Sequence, residues 1–307
     1  MSMKQRPYWP ILLAPWLLSA VAAQAQEAPP AGEQRCRDFI ANLAKLDVPL
    51  PKIGKVSAKS NGGCLYTDSV LEQGHVRWSI DTIDLDRIEP DPAGADKMPL
   101  AMRISLSGIR VSGAVAGDPV FSYVQQLTAP PMALSLDYER DVPKDALKVN
   151  SLTFNTSHGA LSLSVELARI EPMLKSWSPQ DVVMRTALKS LEFNLHDEDG
   201  EIQRLVAMPL AIALLKGAPD PAARLAELKQ QGATWMRLTL GLLGVPKEST
   251  EETIAAMMEL PKATKPFYLG IKLPQPVGVE DLFRAMVGGV SPGTLFPDGS
   301  ITATYGK

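Results

Sequence analysis

The sequence predicts an α+β fold: a curved antiparallel β-sheet of about eight to ten strands with helices packed on one face, built from a duplicated ββαββ unit. Three observations carry this expectation. Residues 148–170, KVNSLTFNTSHGALSLSVELARI, alternate apolar and polar residues on both sides of a short turn, the period of a half-buried β-hairpin. Similar alternation recurs between Val76 and Tyr138 and slips phase by one residue at two places, as β-bulges that curve a sheet would require. Arg87-Ile88-Glu89-Pro90 returns 82 positions later, without a gap, as Arg169-Ile170-Glu171-Pro172.

Taken in order, Met1–Ala25 has the three parts of a secretory leader. Lys4 and Arg6 are its positive end, Ile11–Ala23 its apolar stretch, and Ala23-Gln24-Ala25 its small-x-small cleavage site. The apolar stretch falls short of the ~20 residues of a spanning helix, and no cysteine follows the cleavage site to take a lipid. A periplasmic or extracellular location follows as the expectation. Removing Lys4 and Arg6 with the leader takes the net charge from −3 to −5, with the charges scattered. Such a balance gives no footprint for nucleic acid and no attraction to an anionic membrane.

Residues 26–32 read as a disordered Pro/Ala tail. From 33 to 75 comes an amino-terminal segment opened by a helix, since Cys36, Phe39, Ile40 and Leu43 follow i, i+3, i+4, i+7 until Pro49 and Pro51 stop it. Cys36 and Cys64 are the two cysteines of the chain, and in an oxidising compartment such a pair reads as a disulfide tying this helix to the strand near Cys64.

The first ββαββ unit spans 76–156. Val76, Trp78 and Ile80 share a face before Ile83 and Leu85 slip phase; Met102, Ile104 and Leu106 do the same before Gly108. Asp118-Pro119 opens a short helix carrying Val120, Tyr123, Val124 and Leu127, and Pro130-Pro131 ends it. Met132, Leu134, Leu136 and Tyr138 form the next strand. In the hairpin that follows, Gly159 is expected to supply the positive φ of a tight turn.

The second unit, 157–307, adds helices. After a strand at Thr186–His196, a helix runs over Glu201–Lys216 with a kink at Pro209, and another over Pro221–Gly244 with a break near Gly232. Ser249 and Glu252 read as a capping box for a third helix, through Leu260. Phe267, Leu269 and Ile271 mark a strand, Val279–Val287 a helix and Ser300–Tyr305 a last strand. At the 82-residue offset Leu85 meets Leu167, Met102 meets Met184 and Leu106 meets Leu188.

Positive signals for chemistry are sparse. The chain lacks GxSxG, HExxH, GxGxxG and Walker sequences, and no catalytic residue, cofactor or metal ligand is assigned. His158 and His196 read as surface or turn residues. The acidic turn His196–Gly200 reads as the start of the following helix, where acids favour the positive end of the dipole, over a calcium loop. One feature resists a purely structural account: 205–215 and 235–243 are apolar nearly all round. Leu205, Met208, Ile212, Trp235 and Met236 are therefore expected to line an apolar crevice between helices and sheet that takes a lipid-like ligand. The plan resembles that of bacterial envelope proteins that hold lipid between a bent sheet and helices, such as the lipoprotein carriers; the resemblance is architectural and rests on no shared motif. The contrasting expectation is an envelope scaffold or partner-binding protein with a solid core.

Overall fold

The computed structural model describes residues 31–43, 50–73, 76–94, 98–113, 130–171, 184–205, 215, 219–260, 263–286, 295–297 and 299–306. Period-two alternation here produces an open ten-stranded antiparallel sheet whose spatial order is its sequence order. The strands are β1 (Lys55–Ala58), β2 (Cys64–Gln73), β3 (Val76–Glu89), β4 (Ala101–Gly113), β5 (Met132–Asp141), β6 (Ala146–Asn155), β7 (Gly159–Ala168), β8 (Ala187–Asp197), β9 (Phe267–Gly278) and β10 (Ile301–Tyr305). Four helices are described: α1 (Ala31–Leu43), α2 (Pro221–Leu242), α3 (Lys247–Glu259) and α4 (Val279–Met286). The fold is α+β as expected, and β1 and β10 remain edges, so the sheet is not a barrel.

Register aligns the apolar positions of successive strands into rows across one face. Leu134, Phe154, Leu161, Leu195, Phe267 and Tyr305 form one; Leu136, Leu152, Leu163, Phe193, Leu269 and Ala303 form the next. The other face carries polar pairs that suit water: Ser135 with Thr153 at 2.6 Å, Arg103 with Asp137 at 2.6 Å, and Lys272 with Glu192 at 3.3 Å.

The two phase slips read from the sequence, in β3 and β4, lie on one line that continues into β2. The buried set passes from Tyr66 to Ser69 in β2, from Ile83 to Ile80 in β3 and from Leu106 to Ile109 in β4. Asp68 (φ 55°) and Gly108 (φ 67°) take left-handed backbone there. A side chain on Gly108 would collide with Asp81, whose carboxylate receives Arg110 Nη1 at 2.9 and 3.0 Å. Because the three strands turn over together, their mutual register is unchanged across the line. Strand β5 alternates without interruption, so the shift surfaces between β4 and β5 at Leu106/Ile109.

Helix α1 lies over the β2–β3 end of the apolar face, with Cys36, Phe39 and Ile40 against Tyr66, Ile83 and Leu85. The Cys36–Cys64 disulfide joins helix to strand (Cα–Cα 5.7 Å), and the Tyr66 hydroxyl donates to the Cys36 carbonyl at 3.0 Å. Burial pushes the Tyr66 hydroxyl well above its ordinary pKa. At the far edge, α3 lies against β10 and presents polar groups to its free backbone. Ala303 N–H donates to Ser249 Oγ at 3.1 Å, and Tyr305 N–H to Glu252 Oε2 at 3.0 Å. An unpaired row of strand donors is thereby closed by side chains.

Several expectations need correction. Ser249 and Glu252 do not form a capping box: the residue capping α3 is Pro246, with no side-chain cap, and both side chains serve the sheet edge. Helix α2 runs unbroken through Gly232, where the missing side chain lets Met257 of α3 approach to 3.5 Å of the Cβ position. That packing outweighs a glycine cost of ~1 kcal/mol. Gly159 does not take a positive φ. It is required by space instead, since a Cβ would sit 2.8 Å from Asp197 Oδ1 and 3.0 Å from Ile202 Cδ1. Strand β9 continues past Ile271 through Pro274 and Pro276, which lie beyond the end of β10, so that among the described residues no outer strand meets a proline that lacks an N–H. Strand β1 was not expected. The helix expected after Asp118-Pro119 and the Pro209 kink lie outside the described residues.

Candidate functional site

Three buried clusters hold the apolar face, and they leave a strip between them. The first, around Tyr66, Ile83, Leu106, Met132 and Phe154, is covered by α1 and by Ile202 and Leu205. The second joins Leu273, Val277 and Ile301 to Leu240 and Leu243 from the end of α2 and beyond it, and to Leu282 of α4. The third, Tyr138, Leu147 and Ile170, closes one end of the middle strands. Among the described residues, Leu152, Leu163, Val165, Leu191 and Phe193 belong to none of the three and are half-buried. They are contiguous: Leu152 pairs with Leu163 and Leu163 with Phe193, while Val165 pairs with Leu191. The result is an apolar floor across β6, β7 and β8, with Phe193 tilted against Phe267 at 6.1 Å between ring centres.

Of the residues singled out by sequence, Leu205, Trp235 and Met236 are described, and they stand in different surroundings. Leu205 is half-buried and packs on the first cluster, at one end of the strip. Met208 and Ile212 lie outside the described residues. Met236 is half-buried on α2, on the side that carries Gly232 toward α3. Trp235, the residue before it, is 66 % exposed and forms a solvent-facing stripe with Leu238 (63 %) and Leu242 (70 %). Sequence could not separate these two sides, because α2 is apolar on both. The alternation of the hairpin marks its strands as half-buried but carries no sign of where the covering helices end.

The acidic turn behaves as a helix start. Asp197 is buried and accepts from Ile202 N–H at 3.2 Å and Gln203 N–H at 2.9 Å, satisfying donors of the first helical turn over 201–205. Gln203 is itself held by Ala263, whose N–H donates to its side-chain oxygen at 2.9 Å. His158 Nδ1 lies 3.0 Å from Asp199 Oδ2 and 3.4 Å from Glu201 Oε1, so it links the hairpin turn to this helix start, and it is exposed. His196 is exposed as well, 3.2 Å from Glu198. Among the described residues no three His, Cys, Asp or Glu side chains are grouped to hold a metal ion, and no helix is long and apolar enough to cross a membrane.

No protein-family model matches the chain, and no curated protein matches it. The reading of function therefore rests on the geometry of the sheet.

Proposed function

We propose that this chain is an exported, non-enzymatic protein that binds an apolar, lipid-like ligand against the strip of Leu152, Leu163, Val165, Leu191 and Phe193. The observation that carries this reading is the half-burial of a contiguous apolar floor in the middle of the sheet, while both ends of the same face are covered. An acyl chain burying roughly 300 Å² of apolar surface there gains about 7 kcal/mol before ordering costs. Leu205, which packs on the first cluster, supports a ligand lying along its border with the strip. The leader-like segment Met1–Ala25 and the Cys36–Cys64 disulfide support an oxidising, extracytoplasmic location.

The test is gentle purification from the native source, organic extraction and mass spectrometry. A stoichiometric lipid is expected, lost in Leu163→Lys and Phe193→Lys variants that keep the wild-type circular dichroism. Absence of lipid, together with no binding of a fluorescent fatty-acid probe, would refute the reading. The exposed stripe of Trp235, Leu238 and Leu242 favours a second reading, a partner-binding envelope scaffold. In that case a Trp235→Ser/Leu238→Ser variant loses a cross-linked complex in native extracts, and the strip variants keep it.

We also infer that the two halves of the sheet descend from one duplicated unit. Strands β3–β6 and β7–β10 follow the same next-neighbour order; Arg87-Ile88-Glu89 ends the first strand of its half, and Arg169-Ile170-Glu171 directly follows the first strand of the other. The halves have since diverged. Leu85 pairs with Ile104 whereas Leu167 pairs with Leu188, two residues from the equivalent position, and Arg169 has turned to φ 58° to meet Asp281 at 3.3 Å.

A further inference from the structure

On the opposite, polar face of the sheet the ends of β7–β10 form a depression of about 380 Å³ that includes Ser162, Asn194, His196, Tyr268 and Thr304. Register explains the grouping: Ser162 pairs with Asn194, Asn194 with Tyr268, and Tyr268 with Thr304, so these side chains stand in one row. Tyr268 does not stand upright. Its hydroxyl lies over Gly270, where a Cβ would sit 2.5 Å away, and the glycine thus lets the ring lie down along the sheet. The same side chain lines the depression.

The lining restricts the chemistry of an occupant. It contains no lysine, arginine, aspartate or glutamate, and its histidine already faces Glu198 at 3.2 Å. The next charges along the sheet, Lys272 and Glu192, neutralise each other at 3.3 Å. An anion would find no cation and a cation no free carboxylate. Yet Ser162, Asn194, Tyr268 and Thr304 supply both donors and acceptors, and among the described residues their side-chain polar groups have no partner. A flat aromatic ring beside uncharged hydrogen-bonding groups suits a molecule with an apolar C–H face and a rim of hydroxyls. The electron-rich ring face attracts polarised C–H bonds, and the amide and hydroxyls replace water at the rim.

We propose that this depression is a binding site for a neutral carbohydrate, with Tyr268 as the stacking platform and Asn194, Ser162 and Thr304 as the hydroxyl-binding groups. The volume lies near the lower end of the roughly 300–1,000 Å³ of small-molecule sites and holds about one or two pyranose rings. The site is on the face away from the apolar strip, so it is separate from the proposed lipid-like ligand and stands or falls without it.

The experiment is a screen of the purified full chain on an array of neutral and charged oligosaccharides, followed by saturation-transfer NMR titration with the best neutral glycan. Binding of at least one neutral glycan is expected. It weakens about tenfold or more in Tyr268→Ala and in Asn194→Ala and persists in Tyr268→Phe, which keeps the ring. Ser162→Trp, which fills the depression from a different strand, is expected to abolish binding with the circular dichroism unchanged, so that a misfolded Tyr268→Ala protein leaves the outcome decidable. No neutral glycan bound, charged glycans bound exclusively, or neutral binding indifferent to these substitutions would each overturn the proposal. Binding of the fluorescent fatty-acid probe to the same variants is expected to be unaltered.

Discussion

Substituting Ser249→Ala removes one hydroxyl and tests how the last strand is held. Ser249 and Ala303 are both buried, and the 3.1 Å bond from Ala303 N–H to Ser249 Oγ is what satisfies that donor on the outer edge of β10. Alanine leaves a buried N–H without an acceptor, a loss of about 1–3 kcal/mol for a neutral group. Better helix propensity returns ~0.5 kcal/mol, so a net loss of about 1.5 kcal/mol is expected. For a domain of this size that lowers the melting temperature by roughly 3–6 °C. The sharper readout is native-state hydrogen exchange at the Ala303 amide, which is expected to lose protection selectively, and Ser249→Thr is expected to restore it. An unchanged melting temperature with Ala303 still protected would refute the idea that α3 side chains close the edge.

The remaining predictions concern the other edge and the pH limits of the fold. Reducing the Cys36–Cys64 disulfide, which closes a loop of about 29 residues, costs about 3–4 kcal/mol, visible as a lower urea midpoint with reductant present; an unchanged midpoint would count against it. Acid weakens the fold. Lys52 beside Glu72, Lys59 beside Asp86, Lys144 beside Asp141, Arg237 beside Glu251 and Tyr305 beside Glu259 all hold carboxyls below their ordinary range. Their contribution is complete above the unfolded values near about 4 and is lost as pH falls through the lower folded ones. Alkali weakens it too. Burial raises Tyr66 and Tyr138, and burial with the Glu259 contact pushes Tyr305 up to about 12, so stability is complete below 10.0 and declines as pH rises beyond it. Urea midpoints measured across pH check both limbs, and a midpoint that rises on acidification below about 4 would contradict the first.

Local periodicity made much of the sheet legible. The hairpin pairs Leu152 with Leu163 and Phe154 with Leu161, as the alternation requires, and the slip at Gly108 is real because it is written into the order of apolar residues. The disulfide was legible from the cysteine count taken with the leader-like segment. Misreadings came where a residue answers to something distant in the sequence. Gly159 looks like a turn glycine, but its constraint is Asp197. Ser249 and Glu252 have capping-box spacing, but the strand they serve lies more than fifty residues further on. Trp235 is apolar by type and exposed by helix phase, which hydrophobicity alone does not separate. The polar depression left no sequence trace, since Ser162, Asn194 and Tyr268 become neighbours through register.

The order of the strands bears on how the chain is assembled as it is made from its amino end. Every strand pairs with the one synthesised immediately before it, so the sheet can lengthen one strand at a time, although β9 joins β8 only after the segment that carries α2 and α3. A growing sheet of this kind always offers one raw edge to neighbouring chains. Helix α3 precedes β9 and β10 in the chain. The cover for the final edge has therefore already been synthesised when β10 emerges, and growth ends against Ser249 and Glu252 instead of against another molecule.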